Sequence, residues 1–439
     1  MRFLAEAGVA AEPPSLYSLA VCGPVSADGV AVLLAPAFGE EGWTISAAAL
    51  AANLPAHPAC GAPTVLLLND FHAVGLALDS VAPNELWTLS ESELGTDVAA
   101  RAARAKTGIV ACPCCKYLTL ARRCSSECCA VCGWSDDGQD DSNADVVLGG
   151  PKGGRSLAQA RANFRLIGAC DADSRARCRA PAPAEIPPRG ARDGVVACLG
   201  PGSGLGQCFA VPTAARGAAS ASLPPLPRRV FPSEGGMSDF VPRNALELAL
   251  RDWIARRDGG VGDAVEVEKV VSGAGIASIY AFLRERDGAR IVNAELDAAI
   301  CAAAVTPGGA PAALIGAHCG PCTLAGTDTS AAPSGSRSTV DPLCARAVEL
   351  FLDLLGAEAA NLACRYKATG GVYIAGGGIA RKLLKQIRDG GRVAASYRGR
   401  RRVWPVYSDC PLFVVGTPGD ALGLRGAWAW AQQAVAPTV

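Results

Sequence analysis

Histidine is scarce in this chain: only His57, His72 and His318 occur among 439 residues, and none stands four positions from another. That excludes the paired-histidine helix of a zinc hydrolase and leaves acid-base chemistry to carboxylates. Net charge is absent as well, since 41 Lys plus Arg balance 41 Asp plus Glu. Neither nucleic acid nor an anionic membrane surface is therefore an expected partner, because nothing drives counterion release or long-range attraction. No apolar run approaches the roughly 20 residues of a membrane helix; the stretches Val30 to Ala37 and Val65 to Leu68 are among the longest. Met1 to Gly8 holds one arginine and no apolar core, so it does not read as a secretory signal, and a cytoplasmic location is expected. No repeat of 20 to 50 residues is visible, which leaves solenoids and propellers unsupported.

What is present is apolar content of 50%, enough for several cores. Short apolar runs alternate with helical patterns, and this predicts an α/β fold. Val65 to Leu68, Val195 to Leu199, Val372 to Ala375 and Leu412 to Val415 read as buried strands. Asp341-Pro342 opens a helix over Leu343 to about Leu355, and Asn244 caps another over Ala245 to about Arg256. Three stretches break this rhythm: residues 105 to 192 with a proline-dense tail, the Pro-rich Leu223 to Arg229, and Gly320 to Thr339, which reads as a flexible loop.

Leu199-Gly-Pro-Gly-Ser-Gly-Leu-Gly206 follows a predicted strand, and its glycines let backbone N–H groups approach an anion while Ser203 offers a hydroxyl. Shaping a tight turn is the competing use of the same glycines. Gly376-Gly377-Gly378 forms a second such turn after Ala375. Asn69-Asp70 stands at the carboxyl end of a strand, where open α/β sheets face their ligands; capping the next helix is the competing role for Asp70. Glu234 and Glu268 add carboxylates beside glycines. Carboxylates and an amide in a neutral chain suit a polyhydroxylated ligand.

Six motifs in order, Leu68-Asn-Asp-Phe-His-Ala-Val74, the glycine run 199 to 206, Glu234-Gly-Gly-Met-Ser-Asp-Phe-Val-Pro242, Val270-Val-Ser-Gly-Ala-Gly275, Asn361-Leu-Ala363 and Gly370 to Gly377, resemble the bacterial-type glucokinase family. The resemblance implies a two-lobed actin-like ATPase (hexokinase-like) fold closing over glucose and ATP. It implies Asp70 as the general base toward the sugar 6-hydroxyl, and Asn69, Glu234 and Glu268 as holders of the other hydroxyls. It also implies Gly202, Ser203 and Gly204 beside the phosphates, Gly376 and Gly377 near the nucleoside, Mg²⁺ arriving with ATP, and a homodimer as a candidate assembly. Sugar kinases and repressors of the ROK family fit less well, since Ser238 to Pro242 stands where their zinc cysteines follow.

Two departures weaken the match. Met237 occupies the place of a histidine and cannot form a strong hydrogen bond to a sugar hydroxyl. The opening Asp-x-Gly-Gly-Thr phosphate turn of the family does not occur, so an N-terminally incomplete chain with little kinase turnover is expected. A non-catalytic sugar-binding or regulatory protein is the alternative.

Seven of the nineteen cysteines crowd between Cys112 and Cys132. Cys112-x-x-Cys115 and Cys129-x-x-Cys132 have near zinc-ribbon spacing, and four thiolates close a tetrahedral structural Zn²⁺ site. With Gly133 to Asp141 and Gly149 to Phe164, the segment resembles the small cysteine-rich CPCC family over about 110 to 170. The other cysteines, among them Cys22, Cys198, Cys208, Cys301, Cys344 and Cys364, read as small buried hydrophobes. The resulting division is 1–94 (small-lobe remnant and start of the large lobe), 106–172 (zinc module), 173–193 (linker), 194–410 (large lobe) and 411–439 (return to the small lobe).

Overall fold

The computed structural model describes residues 16–21, 25, 30–33, 43–54, 63–81, 85–90, 109–139, 143–148, 154–182, 185, 194–213, 228–258, 264–286, 291–306, 309–322, 340–376, 378–399, 402–417, 421–427 and 429. Its strands are β1 (Leu16–Val21), β2 (Val30–Leu33), β3 (Trp43–Ser46), β4 (Thr64–Asn69), β5 (Leu86–Ser90), β6 (Val110–Ala111), β7 (Leu118–Leu120), β8 (Val196–Pro201), β9 (Leu205–Pro212), β10 (Arg228–Ser233), β11 (Gly371–Ile374) and β12 (Leu412–Val415).

Six of them form the main sheet in the order β10-β9-β8-β11-β12-β5. β11 runs parallel to both β8 and β12, whereas the outer pairs are antiparallel. The three central strands are buried throughout, as their uninterrupted apolar sequence requires when both faces of a sheet are covered. Successive side chains alternate between two cores. Ala197, Leu199, Val372, Ile374, Leu412 and Val414 join the core around the helix Pro342–Tyr366. Val196, Cys198, Tyr373, Phe413 and Val415 face the opposite core with Phe71 and Val74 of the helix Asp70–Ala77.

The helix expected to stop near Leu355 runs on to Tyr366. Gly356 does not end it: a Cβ there would lie 2.4 Å from the carbonyl oxygen of Val393, so this glycine serves close approach by the helix Arg392–Arg398. The start is as expected, with Asp341 accepting the amides of Leu343 and Cys344 at 3.0 and 2.9 Å and proline at the first turn. Asn244 accepts the amide of Glu247 at 3.0 Å and opens Ala245–Asp258.

β12 pairs with β11 inside the main sheet. Its strand is apolar on both faces and is stable only in the interior of a sheet. A helical segment at 421–427 follows in the chain; its Leu422 packs with Phe71 and its Ala427 with Leu68 and Ala73. Upstream, β1 pairs in parallel with β4, and β2 with β3 as an antiparallel ribbon; Ala31, Val65 and Leu67 are their buried contribution. The expected linker Leu223 to Arg229 falls largely outside the described residues, as do residues 323–339 of the expected flexible loop. Of the six cysteines read as buried hydrophobes, Cys198, Cys208 and Cys344 are buried, Cys301 and Cys364 are partly exposed, and Cys22 is outside the described residues.

Candidate active site and metal centre

β4 delivers Asn69 and Asp70 to the start of a helix. Asn69 Oδ1 accepts the amides of Phe71 and His72 at 2.9 and 3.1 Å, so the cap belongs to Asn69. Asp70 is the first residue of the helix, and its Oδ1 accepts the adjacent Phe71 amide at 2.9 Å. The capping role open to Asp70 in the sequence is thus taken by its neighbour. Burial pushes the Asp70 carboxyl above its ordinary value; amides at Phe71 and Asp70 pull it back, and the charge of Glu234 adds to the rise. Glu234, 164 positions away in the chain, therefore shares the electrostatic surroundings of Asp70.

The β8–β9 hairpin is the second component. Within it, the Gly202 amide donates to the Gly204 carbonyl at 2.8 Å, and the Gly273 amide donates to the Gly202 carbonyl at 2.8 Å. Glu268 Oε2 accepts the Leu205 amide at 3.1 Å, and a Cβ on Gly204 would meet that same oxygen at 2.5 Å. Glu268 is thereby drawn against the hairpin that sequence reading assigns to phosphate. A Cβ on Gly206 would lie 1.9 Å from the Phe71 ring, so the residue after Asp70 packs directly beneath the hairpin. Gly236 is equally tight, with its Cβ position 2.3 Å from the Leu205 carbonyl oxygen. Ser203 is exposed at the tip.

Gly376 takes a φ of +71° and approaches Val74 and Phe71, joining the second glycine turn to the Asp70 helix. Gly377 lies outside the described residues. Met237, where a sugar-binding histidine is expected, is 52% exposed. A cavity of about 760 Å³ opens nearby, lined by Asp239, Arg243, Glu247, Glu358 and Asn361 among others, but not by Asn69, Asp70, Glu234 or Glu268.

In the insertion, the sulfurs of Cys112, Cys115, Cys129 and Cys132 all lie within 4.8 Å of one another, and all four residues are buried. Cys112 to Cys132 and Cys115 to Cys129 are both 3.6 Å apart. A tetrahedron with Zn–S bonds of about 2.3 Å has edges of about 3.8 Å, so the donor set fits zinc in both chemistry and spacing. Two copies of one turn build it. The Lys116 amide donates to Cys112 O and the Gly133 amide to Cys129 O, both at 2.8 Å, and Lys116 and Gly133 both have positive φ, 65° and 76°. Neighbouring thiols, Cys112 first, hold the Cys129 sulfur far below the usual thiol range, whereas Cys115 is pushed far above it by hydrogen bonds to Cys112 and Cys129. Only a cation lets all four ionise together. Cys114 is buried outside the four; Cys124 and Cys128 are exposed.

The sequence model of the glucokinase family matches residues 1–116 and 184–434, and that of the cysteine-rich CPCC family matches residues 110–185. The chain belongs to the glucokinase family. Its main sheet with helices on both faces is the α/β core of that family's actin-like ATPase fold, interrupted by the cysteine-rich insertion. Glucokinase of Nostoc sp. is 36% identical over 241 residues, which is 53% of this chain and 59% of that one. Glucokinase of Synechocystis sp. is 34% identical over 250 residues, covering 55% and 59%. The chain thus spans about 59% of the length of these relatives. A solved glucokinase from an Antarctic psychrotroph aligns with a TM-score of 0.49 at 18% identity, over 98% of this chain and 84% of that one.

Within this glucokinase-family body, sequence reasoning missed a buried network behind the Glu234 turn. Glu358, 2% exposed, accepts the Gln207 amide at 3.0 Å and the Asn361 amide at 2.6 Å, and Arg365 lies 3.5 Å away. A Cβ on Gly235 would come within 2.1 Å of Gln207 Oε1, so the network sets the height of the Glu234-Gly235-Gly236 turn. Nothing local signals it, because Gln207 and Glu358 are 151 residues apart. Asn361 was visible as a motif without an assigned role.

Proposed function

We propose that this chain is an ATP-dependent hexose kinase of the glucose 6-phosphotransferase type. The observation that carries the reading is Asp70: half-buried, released from capping by Asn69, and grouped with Glu234 and the Glu268-braced glycine hairpin. Asp70 takes the proton of the sugar's 6-hydroxyl as that oxygen attacks the γ-phosphorus, and ADP leaves with the electrons of the cleaved P–O bond. Asn69, Glu234 and Glu268 hold the remaining hydroxyls and fix the attacking oxygen. With the Gly202 N–H engaged by the Gly204 carbonyl, the hairpin at Gly202, Ser203 and Gly204 receives the phosphates through the Ser203 hydroxyl and the backbone N–H groups of Ser203 and Gly204, and Gly376 and Gly377 border the nucleoside. Mg²⁺ enters with ATP and offsets the phosphate charge, so the protein's share of catalysis is positioning and one base.

Turnover is reduced because Met237 gives the sugar no hydrogen bond. Zn²⁺ held by Cys112, Cys115, Cys129 and Cys132 is structural, because four protein sulfurs leave no open position for substrate. Coupled ADP release with glucose tests the proposal. Slow, glucose-dependent release is expected, falling about 10²- to 10⁴-fold in Asp70→Asn as a general base is lost. Glucose binding without any ADP release would replace the kinase with a sugar-binding protein.

A further inference from the structure

Among the cysteines outside the metal centre, Cys319 and Cys322 stand apart because they form a Cys-Gly-Pro-Cys sequence. The segment leaves the C-terminus of the helix Pro311–His318. Gly320 and Cys322 both take positive φ, 65° and 50°, which folds the segment back on itself and brings the Cys322 sulfur to 3.2 Å from the carbonyl oxygen of Cys319. The turn is braced from outside. Gln386 Nε2 donates to Gly320 O at 3.0 Å and to the Cys319 sulfur at 3.5 Å, and Cys322 donates to Cys319 O at 3.2 Å. Gly390 lies against the carbonyl of Cys322, where a Cβ would meet that oxygen at 2.8 Å.

We infer that Cys319 and Cys322 are a reversible disulfide site that exchanges two electrons with small-molecule disulfides. Three observations favour this over the alternatives. The sulfurs do not form a metal site: among the described residues only the four cysteines of the insertion bring three or more ligand atoms together. Cys344 packs in the same core but donates no third ligand to the pair. Although both cysteines are buried, at 1% and 3% exposure, Pro321 between them is exposed, so the pair lies one residue beneath the surface. The contacting thiols Cys198 and Cys208 are instead enclosed between paired strands.

Cys319 is the attacking group. Gln386 Nε2 donates to its sulfur at 3.5 Å, while its thiol reaches Gly316 O and Gly320 O at 3.2 and 3.4 Å; the Cys322 thiol and the Gln386 amide hold it below its ordinary value despite burial. This occurs even though a helix C-terminus, where Cys319 stands, disfavours negative charge. Cys319 attacks one sulfur of the oxidant, releasing one thiol and forming a mixed disulfide. Cys322 then attacks the Cys319 sulfur, releasing the second thiol; both protein thiol protons leave with the two reduced oxidant halves. The protein pair is oxidised by two electrons and the oxidant disulfide is reduced to two thiols.

The test uses the full chain equilibrated in buffers of stepped glutathione to glutathione disulfide ratio, acid-quenched, alkylated, digested and weighed. Cys319 and Cys322 should lose their alkyl labels together in one two-electron transition, and their peptide should lack two hydrogens. Cys322→Ser should leave Cys319 carrying a stable glutathione adduct absent from the parent. Full labelling of both residues in the most oxidising buffer, an adduct on one of them in the parent, or a bond from either to Cys344 would overturn the assignment. The parent measurement decides without the variant.

Discussion

The main sheet and the cysteine-rich insertion solve the same problem with different means. The sheet buries two apolar faces at once, with Leu199, Val372, Ile374 and Leu355 on one side and Phe71, Val74 and Phe413 on the other. The insertion has a short apolar set around its four sulfurs, with Leu120, Val131, Trp134 and Leu157 buried and Tyr117 and Phe164 partly buried among the described residues, plus the Arg161 guanidinium on Pro113 O at 3.0 and 2.8 Å. A unit of that size cannot offset its conformational entropy by apolar burial alone. A large core tolerates polar groups such as Asp70 and Glu358 near its edge, whereas a small one must be stapled.

The strongest test of this contrast is metal removal. One Zn²⁺ per chain is expected, with apparent binding worth about 10–16 kcal/mol in comparable sites. A strong chelator should abolish amide protection across residues 109–182 and leave the main sheet protected, as read by hydrogen exchange. Simultaneous loss in both regions would show that they fold as one unit. Leu355→Ala should do the reverse. It empties a fully buried position beside the sheet, lowers stability of the body by about 2–5 kcal/mol in denaturant unfolding, and leaves zinc stoichiometry unchanged.

Smaller effects sharpen the comparison within the body. Asp341→Ala removes the acceptor for two amides at the start of the long helix and should cost about 0.5–2 kcal/mol, measured by the shift in unfolding midpoint. Asp70 gives the smallest stability effect and a defined sign. Burial raises its folded pKa above the ordinary 3.8, so its protonated form is the one the fold favours. That contribution is complete below the unfolded value and is lost as pH rises through the folded value. Asp70→Asn should therefore match the parent in acid and become the more stable protein toward neutral pH, even as kinase turnover falls. A neutral-pH loss of stability would mean that the carboxylate is a structural anchor.

Much of the site was legible because its signals are local. Cys112, Cys115, Cys129 and Cys132 are pairs at fixed short spacing, Asp341 and Asn244 are caps beside their own helices, and the glycine run 199–206 lies within one hairpin. The end of the long helix was not legible, since Gly356 answers to Val393 on another helix. The same holds for the Gln207–Glu358 pair and for β12, whose place between β11 and β5 depends on pairing across the chain. Cys319 and Cys322 had a readable spacing, but bringing the Cys322 sulfur against the Cys319 carbonyl required the positive φ angles of the turn.

The sequence by itself determined the family, the paired cysteines that come together in the insertion and the chemical types at the candidate site, because each is written in neighbouring residues whose spacing the backbone preserves. Only the tertiary structure decided that Asn69 rather than Asp70 caps the helix, that Glu234 raises the Asp70 carboxyl, and that Glu268 braces the hairpin. These are outcomes of competition between groups far apart in the chain. Packing, not local preference, sets which of them meet.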